Sequence, residues 1–154
     1  MLVRGANRML GYLGDAERTA AVIEDGWYRT GDLAVLDEEG FLRITDRLSR
    51  FSKVAGEMVP HLKIEEAAYA VLGDSHCAVT GVPDARKGER IVLLYTHPET
   101  SPDELWRKLS ETDLPRLWLP KRDNIYRVDC LPALGTGKID LRGLKSMAES
   151  LAAV

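Results

Sequence analysis

The stretch HLKIEEAAYAVLG, residues 61–73, carries the clearest structural pattern in the chain. Its apolar residues recur at spacings of three and four positions, which places them on one face of a helix. These residues are Ile64, Ala67, Ala68, Val71 and Leu72. We expect Glu65 and Glu66 to face away from that surface, and Gly73 is suited to end the helix. The pattern predicts a helix over His61–Leu72 that lies on a sheet.

Strand and helix patterns alternate on both sides of this helix. They indicate strands around 51–54, 78–82, 91–96 and 125–128, and helices over 102–110 and 141–152. The first of these two helices opens with a Ser-Pro-Asp-Glu capping signal and is expected to bury Leu105, Trp106 and Leu109. The second follows Asp140 as a predicted N-cap. We therefore expect residues 49–154 to form an α+β domain with a mixed sheet of about three strands, a β-hairpin and flanking helices.

Residues 1–48 show a different organisation, dominated by short strands and turns. The runs 33–36 and 41–44 flank the turn sequence DEEG, which predicts a hairpin, and a short helix over 15–23 would use Asp15 as its N-cap. These residues include too few apolar side chains to close a core. We expect the segment to be the C-terminal strip of a large N-terminal domain that is missing from this chain.

Composition excludes several classes of protein. The 154 residues are 45% hydrophobic and carry a formal net charge of −3 without a long block of one sign. That content supports a folded core, and the charge balance gives no support to nucleic-acid binding. No run of about 18 apolar residues is present, so we expect no transmembrane segment. The expected location is the cytoplasm, with the cytoplasmic face of a membrane as an alternative for the longer protein from which the segment 1–48 is expected to come.

Cysteine and histidine residues indicate neither a disulfide nor a metal site. Cys77 and Cys130 lie among small or apolar neighbours, which suits reduced thiols. His61, His76 and His97 have no ligand-like spacing with them, so no metal site is predicted. We expect His76 to pack within a strand and the other two to lie at the surface.

Three segments could carry chemistry. They are WYRTGD (27–32), DRLSRFSKVAGEMVP (46–60) and LPALGTGKID (131–140). The carboxylate of the first could accept the hydroxyls of a ribose, although a plain turn has the same composition. The second could equally be a solvated charged hairpin. The third presents Lys138 on a loop rich in glycine, where an ammonium group can stabilise developing negative charge.

The lysine loop is not a Walker phosphate-binding loop. That pattern requires glycine five residues before the final glycine and Ser or Thr after the lysine. Pro132 and Ile139 occupy those positions here. The lysine must therefore be explained by another type of site.

Together, in this order and at this spacing, the three segments resemble the adenylate-forming superfamily of acyl-CoA synthetases, peptide-synthetase adenylation domains and luciferases. The resemblance implies that a carboxylic acid reacts with Mg-ATP to give an acyl-adenylate, which then acylates a phosphopantetheine thiol. It implies that Asp32 holds the ribose hydroxyls, that Arg47 contacts the same nucleotide (ATP or AMP) and that Thr30 lines its pocket. Lys138 would be the catalytic residue of adenylation.

The resemblance also implies a mobile lid that serves both half-reactions. Its hinge would be Ser49, at the start of the lid domain 49–154, and rotation would withdraw Lys138 from the reaction centre. The same movement would bring in Lys53 and Gly56, which would lie beside the pantetheine arm. Most Mg contacts would belong to the missing domain, so we expect the chain alone to be inactive.

Within the superfamily, residues 50–59 and 131–138 most resemble the acyl-ACP synthetase half of bifunctional acyltransferase/acyl-ACP synthetases that reacylate lysophosphatidylethanolamine. This likeness implies a fatty acid substrate and either acyl carrier protein or coenzyme A as the thiol. Two alternatives stay open. The chain could be the lid of a short-chain or aryl ligase, or a non-catalytic docking module whose basic Arg47, Arg50 and Lys53 attract an acidic carrier protein.

Overall fold

Two units make up the chain, Met1–Ser49 and Arg50–Val154. The computed structural model describes residues 1–73 and 76–153. The elements of the first unit are β1 (Leu2–Val3), α1 (Ala16–Val22), β2 (Ile23–Glu24), β3 (Trp27–Arg29), β4 (Asp32–Leu36) and β5 (Leu42–Arg47). Those of the second are β6 (Phe51–Val54), β7 (Glu57–Pro60), α2 (His61–Leu72), β8 (Cys77–Asp84), β9 (Gly88–Tyr95), α3 (Pro102–Ser110), β10 (Ile125–Arg127) and α4 (Leu141–Ala152).

The first unit contains a three-stranded sheet in the order β1-β3-β2 and the separate hairpin β4-β5. The hairpin and the N-terminal cap of α1 are confirmed, since the Asp15 carboxylate accepts a hydrogen bond from the Arg18 amide at 2.9 Å. No residue of this unit is buried. Its most exposed apolar side chains include Leu10, Leu13, Val35, Leu36, Phe41, Leu42 and Ile44. These exposed side chains do not pack into a core within the first unit.

The sheet of the second unit is built around β9. Strand β8 pairs antiparallel with β9 over its whole length, from Cys77↔Tyr95 to Asp84↔Gly88. Because β8 occupies one edge, the other edge of β9 is shared by β10, which is parallel, and by β6, which pairs only through Val54↔Gly88. Strand β7 continues the sheet beyond β6. The predicted α+β class is confirmed, and the hairpin β6-β7 extends the three-stranded mixed sheet to five strands.

Side chains of β9 alternate between two buried faces of this sheet. Ile91, Leu93 and Tyr95 pack in a cluster with α2 and α3, whereas Val92 and Leu94 pack against α4. All five are at most 3% exposed. Each such side chain contributes about 1.5–3 kcal/mol through burial, so helices on both faces are needed to stabilise the sheet.

Glu65 corrects one expectation from the sequence. It is buried at 7% exposure, although the helical pattern places it on the outer surface of α2. Its carboxylate pairs with Arg50 and accepts a hydrogen bond from the Val79 amide at 2.9 Å. The buried carboxylate is tolerated because both partners form polar contacts with it. Neither partner could be predicted from the helical pattern of α2, because both lie outside that helix. Trp106 is also more exposed than expected, at 40%, since Leu105 and Leu109 form the buried stripe of α3.

Two histidines also differ from expectation. His61 is buried at 4% exposure, and its Nε2 shares a 2.8 Å hydrogen bond with the Ser52 hydroxyl. His76, expected inside a strand, is exposed just before β8. Burial, aided by the nearby positive charge of Arg50, lowers the pKa of His61 from 6.5 to about 4. The imidazole is therefore neutral in the folded chain at neutral pH.

The lowered pKa predicts that the folded chain loses stability in mild acid. The unfolded chain binds a proton at this histidine below about pH 6.5, whereas the folded chain does so only near pH 4. The free energy of unfolding should therefore fall by about 2 kcal/mol between pH 7.5 and pH 4.5. Urea unfolding at both pH values measures it, with His61→Gln as the comparison. An equal fall in His61→Gln would show that other groups cause the pH dependence.

Candidate functional site

Hairpin β4-β5 brings together the three residues that the sequence connects with a nucleotide. Asp32 is the register partner of Arg47, and the Arg47 Nε donates to the Asp32 Oδ1 at 2.6 Å. The Thr30 Oγ1 accepts a hydrogen bond from the Asp32 amide at 3.0 Å, which fixes the start of β4. Thr30, Asp32 and Arg47 therefore form one cluster, named here the carboxylate–arginine cluster.

Backbone geometry explains the glycine in this cluster. Gly31 has φ +77°, a conformation that side-chain-bearing residues rarely adopt, and its carbonyl accepts the Leu48 amide at 2.8 Å. The Asp32 side chain is 17% exposed, against 60% for Arg47. Within residues 1–73 and 76–153, no hydrogen bond reaches the Asp32 Oδ2. That oxygen can accept hydroxyl donors while Arg47 balances the carboxylate charge.

The boundary between the two units falls directly after Ser49. Ser49 lies in a short 3₁₀ turn, Leu48–Arg50, and is itself exposed. The next residue, Arg50, pairs with the buried Glu65 of α2. The second unit is thus anchored to its own core from its first residue onward.

Hairpin β6-β7 presents Lys53 and Gly56. The strands are joined by the two-residue turn Ala55-Gly56, in which both residues have positive φ, +50° and +90°. A turn of this kind matches the twist of the two strands it connects. A Cβ at Gly56 would meet nothing within 4 Å, so the tip is open to a ligand on that side. The Lys53 side chain is exposed.

Lys138 lies on a small loop with a fixed base. An antiparallel bridge joins Ala133 to Ile139, and the Leu134 amide donates to the Lys138 carbonyl at 2.8 Å. The Ile139 side chain packs on the α4 side of the sheet. The next residue, Asp140, caps α4 as predicted, and its carboxylate accepts a hydrogen bond from the Arg142 amide at 3.1 Å. The loop is therefore held at its base, while its tip is exposed.

The Lys138 ammonium has no ion pair or hydrogen bond within the described residues, and the side chain is exposed. Gly137 has φ +79°, and a Cβ at Gly135 would meet nothing within 4 Å. An unpaired ammonium on such a loop can approach an anionic group without displacing an internal partner. Lys138 is on a different loop from Lys53 and Gly56, although all three belong to the second unit.

Some polar contacts of the second unit were not predicted from sequence. These are the Ser52–His61 hydrogen bond, the Arg50–Glu65 ion pair and two contacts made to the β6-β7 hairpin. In those two contacts the Lys53 amide donates to the Glu89 carboxylate and the Trp118 indole donates to the Glu57 carboxylate. The partners are 9 to 61 positions apart, so no local pattern reports them. The one available signal was the presence of polar residues at strand positions facing the core.

The described residues contain neither a metal-binding cluster nor a membrane-spanning helix. Within residues 1–73 and 76–153, no three His, Cys, Asp or Glu side chains cluster in a way that could hold a metal ion. None of the described helices combines the length and apolar character needed to cross a bilayer. Cys77 and Cys130 are both free thiols. Burial raises the pKa of the Cys77 thiol to about 12, so that thiol stays protonated.

Comparison with known proteins gives consistent results. Residues 63–138 match the family model described as AMP-binding enzyme C-terminal domain. A feruloyl-CoA synthase from Amycolatopsis is 37% identical over 142 residues, which are 90% of this chain and 28% of that protein. A 3-(7a-methyl-1,5-dioxo-octahydro-1H-inden-4-yl)propanoyl:CoA ligase from Rhodococcus jostii, called the indenylpropanoyl:CoA ligase below, is 48% identical over 142 residues, 90% of this chain and 27% of that protein. The chain thus spans less than a third of the length of these curated relatives.

A solved structure shows the same fold. ATP-bound MatB from Rhodopseudomonas palustris superimposes with a TM-score of 0.81 at 27% identity, covering 97% of this chain and 30% of that one. The similarity includes the first unit as well as the region matched by the family model.

Proposed function

We propose that the chain is the lid and adjoining strip of an ATP-dependent, AMP-forming carboxylic acid–thiol ligase, because residues 63–138 match the family model described as AMP-binding enzyme C-terminal domain. The observation that carries this proposal is Lys138, an exposed and unpaired ammonium on a loop with a fixed base. Retention of the carboxylate–arginine cluster in the same chain supports it. The rest of the active site would lie in the part of the ligase that accounts for the greater length of the relatives.

The proposed first step joins acid and nucleotide. A carboxylate oxygen attacks the α-phosphorus of ATP, and pyrophosphate leaves with the electrons of the broken P–O bond. Negative charge is then shared between the attacking carboxylate and the α-phosphate. Lys138 would stabilise this charge electrostatically and would align the two groups, and it forms no covalent bond.

The carboxylate–arginine cluster is proposed to hold the ribose of the nucleotide. The Asp32 Oδ2 would accept from the ribose hydroxyls, while Thr30 fixes the backbone next to it and Arg47 contacts the nucleotide from the facing strand. No carboxylate group of the described chain forms a metal cage. From the resemblance to adenylate-forming enzymes, we propose that most contacts of the Mg²⁺ that accompanies ATP lie in the remainder of the ligase, where the ion would neutralise phosphate charge.

The second proposed step transfers the acyl group to a thiol. The thiol gives up its proton to solvent, its sulfur attacks the acyl carbonyl carbon, and AMP leaves with the electrons of the broken C–O bond and with the oxygen that joined it to the acyl group. We propose Ser49 as the hinge between the steps, supported by the unit boundary after it and by the anchoring of Arg50 to Glu65. The β6-β7 hairpin would then face the pantetheine arm, with Gly56 leaving space for it and Lys53 beside it.

The identity of the acid and of the thiol is a finer proposal. The relatives are named as CoA ligases for feruloyl and indenylpropanoyl groups, which favours coenzyme A as the thiol. The resemblance of residues 50–59 and 131–138 to acyl-ACP synthetases supports a fatty acid substrate, carrier protein as a second thiol and a role in phospholipid reacylation. We propose a cytoplasmic enzyme acting on a fatty or aryl acid.

The competing docking-module function receives less support from the geometry. It relies on Arg47, Arg50 and Lys53 as free positive charges. Arg47 is paired with Asp32, and Arg50 with Glu65. Of these three side chains, only that of Lys53 has no ion-pair partner within the described residues.

Acid-dependent exchange of labelled pyrophosphate into ATP, measured with the complete ligase that contains this chain, tests the proposal. Long-chain fatty acids, short-chain acids and aryl acids are compared first, and then coenzyme A and holo-acyl carrier protein as thiols. We expect exchange with at least one acid class and thioester formation with coenzyme A. Carrier-protein binding without exchange by any acid would instead support the docking module.

A further inference from the structure

The tip of the β6-β7 hairpin is fixed by three contacts from other parts of the second unit. The Ala55 amide donates to the Lys87 carbonyl at 2.8 Å, and the Lys53 amide donates to the Glu89 Oε2 at 2.6 Å. Both of these contacts come from the β8-β9 turn region and hold the β6 side of the hairpin. The β7 side is held separately, through Glu57.

Glu57 is held by a tryptophan that is distant in sequence. The Trp118 indole Nε1 donates to the Glu57 Oε1 at 2.7 Å across 61 positions of the chain. Trp118 lies between α3 and β10, and its ring is partly buried against the core cluster that contains α2 and α3. The indole therefore has one face fixed by packing and a polar edge directed at the hairpin, an arrangement that suits tryptophan.

The tip needs such support because its backbone is strained. Ala55 has φ +50°, a conformation that is unfavourable for a residue with a side chain. A two-residue turn with open space beside Gly56 has little packing of its own. A hydrogen bond to a charged acceptor is stronger than one between neutral groups, so the Trp118–Glu57 contact helps to hold the strained turn in place.

We propose that Trp118 and Glu57 form a clasp that positions the hairpin tip for thiol attack on the acyl-adenylate. The inference rests on the proposed function, because it assigns the hairpin to the second half-reaction. Trp118 acts as a positioning residue, since its indole reaches the tip only through Glu57. The clasp should matter for thioester formation and should have no role in adenylation.

The test uses Trp118→Phe in the complete ligase, which keeps the packed ring and removes the N–H donor. We expect thioester formation from preformed acyl-adenylate to fall about tenfold, the equivalent of one lost charge-assisted hydrogen bond, while pyrophosphate exchange stays within about twofold. Trp106→Phe, on α3 of the same unit, is the matched control and should leave both rates unchanged. Glu57→Ala should reproduce the defect, whereas Glu57→Gln keeps an acceptor oxygen and should lose less.

Each other outcome has a defined meaning. Unchanged thioester formation in Trp118→Phe would overturn the clasp, and so would an equal fall in both half-reactions together with a lower melting temperature, which indicates general destabilisation. If the wild-type ligase neither exchanges pyrophosphate nor forms a thioester, the proposed function itself is wrong. The wild-type measurement therefore separates failure of the clasp from failure of the proposed function.

Discussion

Replacing Lys138 by alanine in the complete ligase should reduce acid-dependent pyrophosphate exchange by about 10²- to 10³-fold. The ammonium is exposed and has no internal partner within the described residues, so its removal should not destabilise the fold. Thioester formation from preformed acyl-adenylate should change by less than about threefold, because the charge that Lys138 stabilises belongs to the first step only. Single-turnover assays of the two half-reactions measure both effects.

Two comparison variants make the Lys138 result specific. Lys145→Ala removes another exposed lysine, on α4, and should leave both half-reactions unchanged. Lys138→Arg keeps the charge but replaces a compact ammonium by a planar guanidinium, so it should restore exchange only in part. If Lys138→Ala retains normal exchange, the lysine is not the adenylation residue, and the docking-module function becomes the better explanation.

Replacing Asp32 by alanine should lower kcat/KM for ATP by about 10²- to 10⁴-fold. The carboxylate is proposed to accept two ribose hydroxyls, and hydrogen bonds to a charged group are worth about 1.5–3 kcal/mol each. The variant should also lose its preference for ATP over 2′,3′-dideoxy-ATP. Without the Asp32 carboxylate, the ribose hydroxyls have no acceptor, so removing the hydroxyls as well should cost nothing further. Exchange assays with the two nucleotides, on wild type and variant, complete a double-mutant cycle.

The control for Asp32 is Glu38→Gln, which removes an exposed carboxylate from the β4-β5 turn of the same unit. It should leave the nucleotide preference intact. An Asp32→Ala variant that still discriminates between the two nucleotides would place the ribose elsewhere. A loss of folding can be recognised separately. It would lower the exchange rate with both nucleotides to the same extent, and it would also lower the melting temperature.

Most of the second unit's fold could be predicted from local patterns. Helices His61–Leu72, Pro102–Ser110 and Leu141–Ala152 match their predicted bounds, because helical periodicity and capping residues are encoded within the segments themselves. A hairpin was an open interpretation of residues 46–60, but the bounds of strand β7 were not predicted. Its turn uses alanine at a positive φ instead of the usual asparagine or glycine, so the sequence shows no typical hairpin signal.

Side-chain environments were harder to predict than elements. Glu65 and His61 are buried because Arg50 and Ser52 pair with them across 15 and 9 positions. Periodicity within one helix reports the direction of a side chain, and it cannot report a partner on another strand. The register of β4 with β5, which pairs Asp32 with Arg47, likewise depends on the irregular pairing at Leu33/Ala34.

The residues of the candidate site, too, could be predicted only in part from the sequence. The motifs identified Thr30, Asp32 and Arg47 from sequence, and the hairpin then accounts for their proximity within one unit. The motifs also identified Lys53, Gly56 and Lys138. The supporting contacts of Trp118 and Glu89 could not be found this way, since neither residue belongs to a motif and both act across long stretches of chain.

Isotope transfer tests the formation of an acyl-adenylate most directly. The complete ligase is incubated with an ¹⁸O-labelled carboxylic acid, ATP, Mg²⁺ and coenzyme A, and the nucleotide product is examined by mass spectrometry. We expect AMP that carries one ¹⁸O atom from the acid, because the carboxylate oxygen that attacks the α-phosphorus leaves with AMP. ADP as the product, or AMP without the label, would contradict an adenylate-forming ligase.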